Sequence, residues 1–462
     1  MKRDGALASA LALIARLAVS VWAADRFPPA GDGTYYHTLA TRMAEGHGYT
    51  WAWPDGAVTY AAHYPVGYPA LMALGYVLFG AHPFVAMVLN ALLGAAMTFA
   101  VYHLVFRFSD GAAHRRAPLL ASLVVGLHPA LVPYTAALMT EGVTAALLTI
   151  AAALASEARA AARARSVALW LGAAGIVMGI ATLVRPQSLV LAPVLGALAL
   201  APLYTWRARV LSAAGVLAVT LLCCAPWTLR NCMHMHRCAL VSVNAGWNLF
   251  IGEETTSGAW EEIRFPPECG SVWDEAAKDV CLEQVARRKV AASPVAWLER
   301  VPKKLAVTFD YFGAAPWYLH VSNAQAFPDR AKVALGAVET VAARVLLVGA
   351  LFALAWRPGP RRRVRIALGI LGVIFALSPT GWPAYLVLAT LAALASWAVL
   401  ARPGSESLLL GWTAAVIGAT AVTHAAFFGA GRYGLVVVPF ISALATLGLP
   451  SASRSTGKTE IP

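Results

Sequence analysis

Apolar residues along this chain come in long blocks rather than in alternation. Twelve blocks are predominantly apolar, at approximately 5–24, 83–106, 117–133, 141–157, 167–184, 188–205, 210–226, 334–355, 365–379, 383–400, 408–427 and 434–449. Each is close to the ~20 residues that carry a helix across about 30 Å of hydrocarbon, some a little shorter. The pattern predicts an all-α polytopic membrane protein of about twelve transmembrane helices. The first block could be misread as a signal peptide. Its apolar part is too long for one and contains Arg16, so a retained first helix is expected.

Two long polar stretches interrupt the blocks, at about 25–82 and 227–332. They divide the chain into a first membrane module (1–226, including the loop 25–82), a loop region (227–332) and a last group of membrane helices (333–462). In the first loop, Tyr35, Leu39 and Met43, with Tyr36 and Ala40, recur at helical spacing. The spacing predicts an amphipathic helix along the membrane surface that ends at Gly46 or Gly48. Pro65, Gly67 and Pro69 break regular structure, and 69–79 reads as a second short surface or re-entrant helix. Trp51, Trp53, Tyr60, Tyr64 and Tyr68 suit the membrane–water boundary. In the second loop, "CLEQVARRKVAASPVAWLERVPKKL" predicts one or two amphipathic helices with Trp297 among the basic residues.

Composition agrees with this reading. The chain is 59% hydrophobic and 13% charged, with mean hydropathy +0.64; soluble domains carry about a quarter charged residues. The formal net charge of +13 does not call for nucleic acid, because its carriers sit at alternate span ends. These are Lys2 and Arg3; Arg107, Arg115 and Arg116; Arg159, Arg163 and Arg165; Arg207 and Arg209; Arg357, Arg361, Arg362, Arg363 and Arg365; Arg402; Arg454 and Lys458. The bias makes those connections cytoplasmic, along with both termini, and sends both long loops to the outer face.

Four of the six cysteines, Cys232, Cys238, Cys269 and Cys281, fall in the second outer loop, where an oxidising compartment permits disulfides. Spacing alone leaves the pairing open; Cys269 with Cys281 is favoured. A metal reading of "CMHMHRC", through His234, His236 and two thiolates, matches no standard zinc spacing. No residue pattern calls for a cofactor or a divalent cation.

Asp32, between Gly31 and Gly33, invites two readings. It could cap the helix that follows, worth about 1 kcal/mol, or act chemically. Glu141 enters its span from the outer side; it could hold a substrate, orient a basic residue or bind a cation. Arg185 ("LVRPQS"), Arg230 ("PWTLRN") and Arg432 ("GRYGL") are single arginines at outer span ends, against the charge bias.

The segments "DGTYYHTLATRMAEGHGYT", "HYPVGYPALMALGYVLFG", "LMTEGV", "GIATLVRPQSLVLAP", "APWTLRN", "VSVNAGWNLFIG" and "GRYGLVVVP" occur in this order from the first span to the last. Together they resemble bacterial protein mannosyltransferase-like, family 39 type membrane glycosyltransferases, which share the C-type glycosyltransferase fold with the lipid A aminoarabinose transferases. The resemblance implies an inner-membrane enzyme with its active site on the periplasmic face. Such an enzyme moves a sugar, with inversion, from a polyprenyl-phosphate carrier to an envelope lipid, glycan or protein hydroxyl. It implies that Asp32 is the catalytic base. Relatives often carry Asp-Glu here, and Asp32-Gly33 leaves one carboxylate. Arg185, Arg230, Arg432 and Tyr433 would contact the donor phosphate, and Tyr35, His63, Tyr64, Glu141, Asn244 and Asn248 the substrates. No GxxxxGK[ST] loop and no GxGxxG at a strand–helix junction supports a nucleotide-sugar donor. The rivals are a secondary transporter, against which the two unlike halves of the chain speak, and a non-catalytic carrier-lipid flippase, which would share the arginines but not need Asp32.

Overall fold

A computed structural model describes residues 2–108, 116–200, 204–357, 361–400 and 406–447. Arg115, Arg402, Arg454 and Lys458, and the end of the last expected span, lie outside the described residues. The chain opens with α1 (Lys2–Ala23), the surface helix α2 (Asp32–Ala44) and a hairpin of β1 (Thr50–Ala52) and β2 (Val58–Tyr60). Next come α3 (Gly67–Phe79), α4 (Pro83–Phe108), α5 (Arg116–Gly126), α6 (Thr140–Ala160), α7 (Ala164–Val184), α8 (Leu191–Ala199) and α9 (Trp206–His234). The second loop folds as α10 (Ala245–Glu254), α11 (Pro267–Gly270), α12 (Glu275–Ala292), α13 (Pro294–Glu299), α14 (Val301–Phe309) and α15 (Ala314–Ser322). The last group is α16 (Asp329–Ala355), α17 (Arg362–Leu377), α18 (Trp382–Leu400), α19 (Glu406–Ala426) and α20 (Val438–Leu447).

The architecture is all-α and multi-pass. Among the described residues, seven helices are long and apolar enough to cross a membrane: α1, α4, α6, α7, α9, α16 and α19. The other five expected spans coincide with shorter helices, α5, α8, α17, α18 and α20. For three of them, α5, α8 and α20, the shortness has a local cause. The block 117–133 stays helical only to Gly126, because Pro129 and Pro133 cannot donate to a helical ladder, and a 3-10 turn Pro133–Ala136 follows. Likewise a 3-10 turn Pro186–Val190 precedes α8, and Gly431–Val437 precedes α20. In the opposite direction, α9 runs through Pro226 to His234, past the 210–226 expected for it.

Helices α4, α6 and α7 pack side by side, and α1 lies along α4 and α5. Helices α16 and α20 pair, and α19 touches both α8 and α18. One large hydrophobic core runs through these contacts.

The two long loops meet on one side of the bundle. Val243 donates its N–H to Ala62 O at 2.9 Å, and Glu275 on α12 accepts from three donors of the first loop. The hairpin was not foreseen; its turn holds Pro54, Asp55 and Gly56, and Trp51 pairs with Thr59 across it. Disulfides join Cys232 to Cys238 and Cys269 to Cys281. The two thiols that a metal reading of this segment needs are therefore bonded to each other.

Candidate active site

Helix α2 starts where the chain leaves α1, and Asp32 is its first residue. The cap position belongs to Gly31, at φ +55°, and no side chain caps the helix. The N-cap reading of Asp32 is therefore corrected: its carboxylate makes no capping bond and is available elsewhere. The ring of Trp317 lies 3.3 Å from where a Cβ on Gly31 would stand, so both space and backbone favour glycine there. The buried stripe of α2 is Gly33, Tyr36, Leu39 and Ala40. Tyr36, Leu39 and Ala40 lie on the expected face; Tyr35, also expected there, is 47% exposed.

Asp32 Oδ2 accepts from an Arg432 terminal nitrogen at 3.1 Å, across 400 residues of sequence. Arg432 Nε lies 3.2 Å from Glu141 Oε1, in ion-pair contact without hydrogen-bond alignment. The same Glu141 oxygen accepts from Arg185 at 2.8 Å, and the other accepts from the Tyr134 hydroxyl at 2.7 Å. Glu141 is 2% exposed. Two carboxylates and two guanidiniums thus form one continuous chain, Asp32–Arg432–Glu141–Arg185, with formal charges that balance.

Aromatic rings frame it. Arg185 lies 4.9 Å and Arg432 5.1 Å from the Tyr433 ring centre, and Arg432 is 5.4 Å from that of Trp317. His424 stacks against Tyr433, centroids 4.0 Å apart. With its amide oxygen turned toward Arg185, Gln187 accepts from Nε at 2.8 Å and from a terminal nitrogen at 3.0 Å. Arg185, Gln187, His424 and Tyr433 also line a small cavity between α6, α8 and α19.

The aromatic side of the site lies in the first loop. Tyr35 stacks on Tyr64 at 4.9 Å, and His63 sits edge-on to Tyr64 at 5.0 Å and to Trp247 at 5.1 Å. Burial raises the Tyr36 and Tyr64 phenol pKa values, and the charge of Asp32 adds to both shifts. Burial lowers the His63 pKa against the opposing pull of Glu275, Asp279 and Asp32, which favours the neutral imidazole.

The structure brings Asp32, Glu141, Arg185, Arg432 and Tyr433 together, with Tyr35, His63 and Tyr64 alongside. Arg230 lies elsewhere. It donates to the carbonyls of Ala61 and Tyr49, both at 2.8 Å, among the rings of Tyr49, Tyr60 and Trp227. Its donors hold the first loop to α9. Asn244 accepts from the Ser242 hydroxyl at 3.0 Å, and Asn248 N–H donates to Asn244 O, both at the start of α10. No hydrogen bond or ring contact among the described residues joins either asparagine to Asp32 or the two arginines.

Sequence reasoning passed over Tyr134, Trp317, His424, Gln187 and Glu275. Tyr134 lies seven residues before Glu141 in a proline-broken segment, and Gln187 follows Arg185 by two; those proximities were the available signals. Trp317, His424 and Glu275 carried none. Among the described residues, no three His, Cys, Asp or Glu side chains converge as a metal site.

The fold and this cluster define a class: a multi-pass all-α membrane protein with an acid–arginine chain where its two long loops meet the bundle. No family model matches the chain, and no curated protein matches it. Solved structures do. The oligosaccharyltransferase of Archaeoglobus fulgidus, crystallised with zinc and sulfate, aligns with 95% of this chain at 16% identity and TM-score 0.46. The same organism's AglB, in complex with an inhibitory peptide and a dolichol-phosphate, aligns at 17% identity and TM-score 0.43. ArnT from Cupriavidus metallidurans bound to undecaprenyl phosphate aligns over 94% of this chain and 77% of its own, at 14% identity and TM-score 0.38. The chain spans about half the length of the archaeal enzymes, 48% and 50%.

Proposed function

We propose that the protein is a membrane glycosyltransferase. It takes a sugar from a polyprenyl-phosphate carrier and passes it to an envelope hydroxyl on the side of the membrane where the long loops lie, with Asp32 as general base. The observation that carries this reading is the 3.1 Å contact of Asp32 with Arg432, itself joined through Glu141 to Arg185. The ordered sequence segments supply the resemblance to enzymes of this type.

The reaction needs both signs of charge side by side. An acceptor hydroxyl is a poor nucleophile at neutral pH, and Asp32 accepts its proton as the oxygen attacks the anomeric carbon. The bond from that carbon to the phosphate oxygen breaks, and its electron pair leaves with the lipid phosphate. Attack opposite the leaving group inverts the anomeric centre. Arg432 and Arg185 are the cations placed to hold the phosphate as its charge grows. A donor phosphate competes with Asp32 for Arg432, so donor binding frees the carboxylate for the acceptor.

Replacing Asp32 by Asn keeps the shape and removes the base. Purified D32N, supplied with a polyprenyl-phosphate sugar and an acceptor mixture, should transfer sugar roughly 10²–10⁴-fold more slowly while still binding the donor. A folded D32N that turns over normally overturns Asp32 as base. A protein that moves the lipid across vesicles but transfers no sugar would instead be a flippase.

A further inference from the structure

The two arginines of the site differ in what they have left to offer. Arg185 Nη1 donates to Glu141, and Nε and Nη2 donate to the Gln187 amide oxygen turned toward them. Each of its nitrogens has a partner. Arg432 Nη2 donates to Asp32 and to the Tyr433 hydroxyl, and Nε is sealed beside Glu141. Nη1 donates to no described residue and, unlike Nε, is not sealed from solvent. An anion entering the site therefore meets Arg432 through Nη1.

One ring from a distant part of the chain holds that guanidinium. Trp317, on α15, has its ring centre 5.4 Å from Arg432 Cζ and stays 38% exposed. The same ring packs against Gly31, the residue before Asp32. Helix α15 is itself fixed at both ends. At its start, the buried carboxylate of Glu339 on α16 accepts from the Ala314 N–H at 2.9 Å. Further on, the Tyr318 hydroxyl accepts from the Ala30 N–H at 3.4 Å. Ser322 donates to Pro28 O at 2.5 Å, and Asn323 to Arg26 O at 2.9 Å. So α15 lies along the segment that leads to Asp32. The chain just before α15 also abuts the residue before Arg432, since a Cβ on Gly431 would stand 1.9 Å from Phe312 O.

A cation–π contact restrains a guanidinium without using any N–H. That property matters when ligands exchange. A phosphate that draws Arg432 from Asp32 removes the hydrogen bond that fixes its plane, and a long side chain then has many rotamers to lose again. The contact with Trp317 needs no donor, so it can persist through the exchange. Nη1 and Nη2 are then side by side for two phosphate oxygens, the fork geometry in which arginine binds phosphate best.

We propose that Trp317 is a positioning residue of the donor site. Its ring holds the Arg432 guanidinium in place while Nη1, and Nη2 once it leaves Asp32, take the phosphate. The proposal rests on the glycosyltransferase reading, because it takes the anion to be the lipid phosphate of the donor.

The full-length protein in detergent, titrated with undecaprenyl phosphate, reads the phosphate site without turnover. Trp317→Leu keeps an apolar side chain against Gly31 and removes the aromatic face; it should weaken binding about tenfold. Trp317→Phe restores a ring and should stay within about threefold of the wild type. Asn323→Ala removes a brace of the same helix that does not touch Arg432, and should bind as the wild type does. The proposal is overturned by W317L binding like the wild type, by W317F binding as poorly as W317L, or by N323A losing as much as W317L. Those results leave the glycosyltransferase reading standing. A folded wild type that does not bind undecaprenyl phosphate overturns both.

Discussion

Glu141 serves two guanidiniums with one carboxylate, and its geometry divides the labour. Oε1 faces both arginines while Oε2 takes the Tyr134 hydroxyl. The planar guanidinium suits this role, because Arg432 can face Asp32 and Glu141 at once through different nitrogens, which a lysine ammonium cannot mimic in fixed geometry. Another buried cation has no carboxylate partner among the described residues. Lys304 on α14 is 0% exposed; its Nζ donates to the last carbonyls of α19, Ala425 at 3.2 Å and Ala426 at 3.4 Å, under the ring of Trp297. Burial, helped by Arg300 and opposed by Glu253, lowers its pKa from 10.5 to about 8. Between those two values the unfolded chain carries a proton that the folded protein has lost, so stability from this group rises with pH across that window. Below it both states are charged and the burial penalty is constant. Lys304→Met removes the penalty. The variant should therefore gain most in Tm at neutral pH, and its advantage should shrink as pH climbs from about 8 to about 10. An advantage that stays constant across that range would show that Lys304 is not buried as a charge.

At the scale of elements, one carboxylate decides how the two loops meet. Glu275, the first residue of α12, accepts from Trp51 Nε1 at 2.6 Å and from the N–H groups of Ala62 and His63 at 2.6 and 2.8 Å. Those donors sit on the hairpin and on the strand exit that leads to Tyr64. Arg230 grips the same segment from α9 through Ala61 and Tyr49. The first loop, which carries Asp32, is thus held by a carboxylate from one side and a guanidinium from the other. Glu275→Ala leaves three donors without their acceptor, at about 1–3 kcal/mol for each group that stays buried. Amide exchange should quicken at Ala62 and His63 while α6 and α7 keep their protection. Under the proposed function, sugar transfer should fall with it, because His63 and Tyr64 lie within electrostatic reach of Asp32. Unchanged exchange at those two amides would mean that Arg230 alone holds the segment.

At the scale of the whole molecule, the membrane blocks were legible because an apolar run in lipid has few options: helices satisfy their own backbone. Less legible was where helices stop. Pro129, Pro133 and Pro186 convert span ends into 3-10 turns, and those turns bring Tyr134 and Arg185 beside Glu141. On the face expected for α2, Tyr36, Leu39 and Ala40 are buried and Met43 half-buried, while Tyr35 at its edge stays exposed, because amphipathic spacing names a face and its neighbours decide how far that face is covered. Asp32, Glu141, Arg185 and Arg432 were each visible as charges in unexpected places. Their meeting was not, since no spacing rule links residues hundreds of positions apart. Sidedness rests on the basic residues, and the structure adds that both long loops share a side. Together these make a sharp prediction. Asp55 at the hairpin turn and Arg163 between α6 and α7 are both exposed, and the charge bias predicts opposite sides for them. In intact cells a membrane-impermeant maleimide should label Asp55→Cys and spare Arg163→Cys, with the second labelled only after permeabilisation. The two free native thiols, Cys223 and Cys224, are partly or fully buried and should add little background. The reverse pattern would put the long loops in the cytoplasm, and the proposed reaction would then draw on the inner face of the membrane.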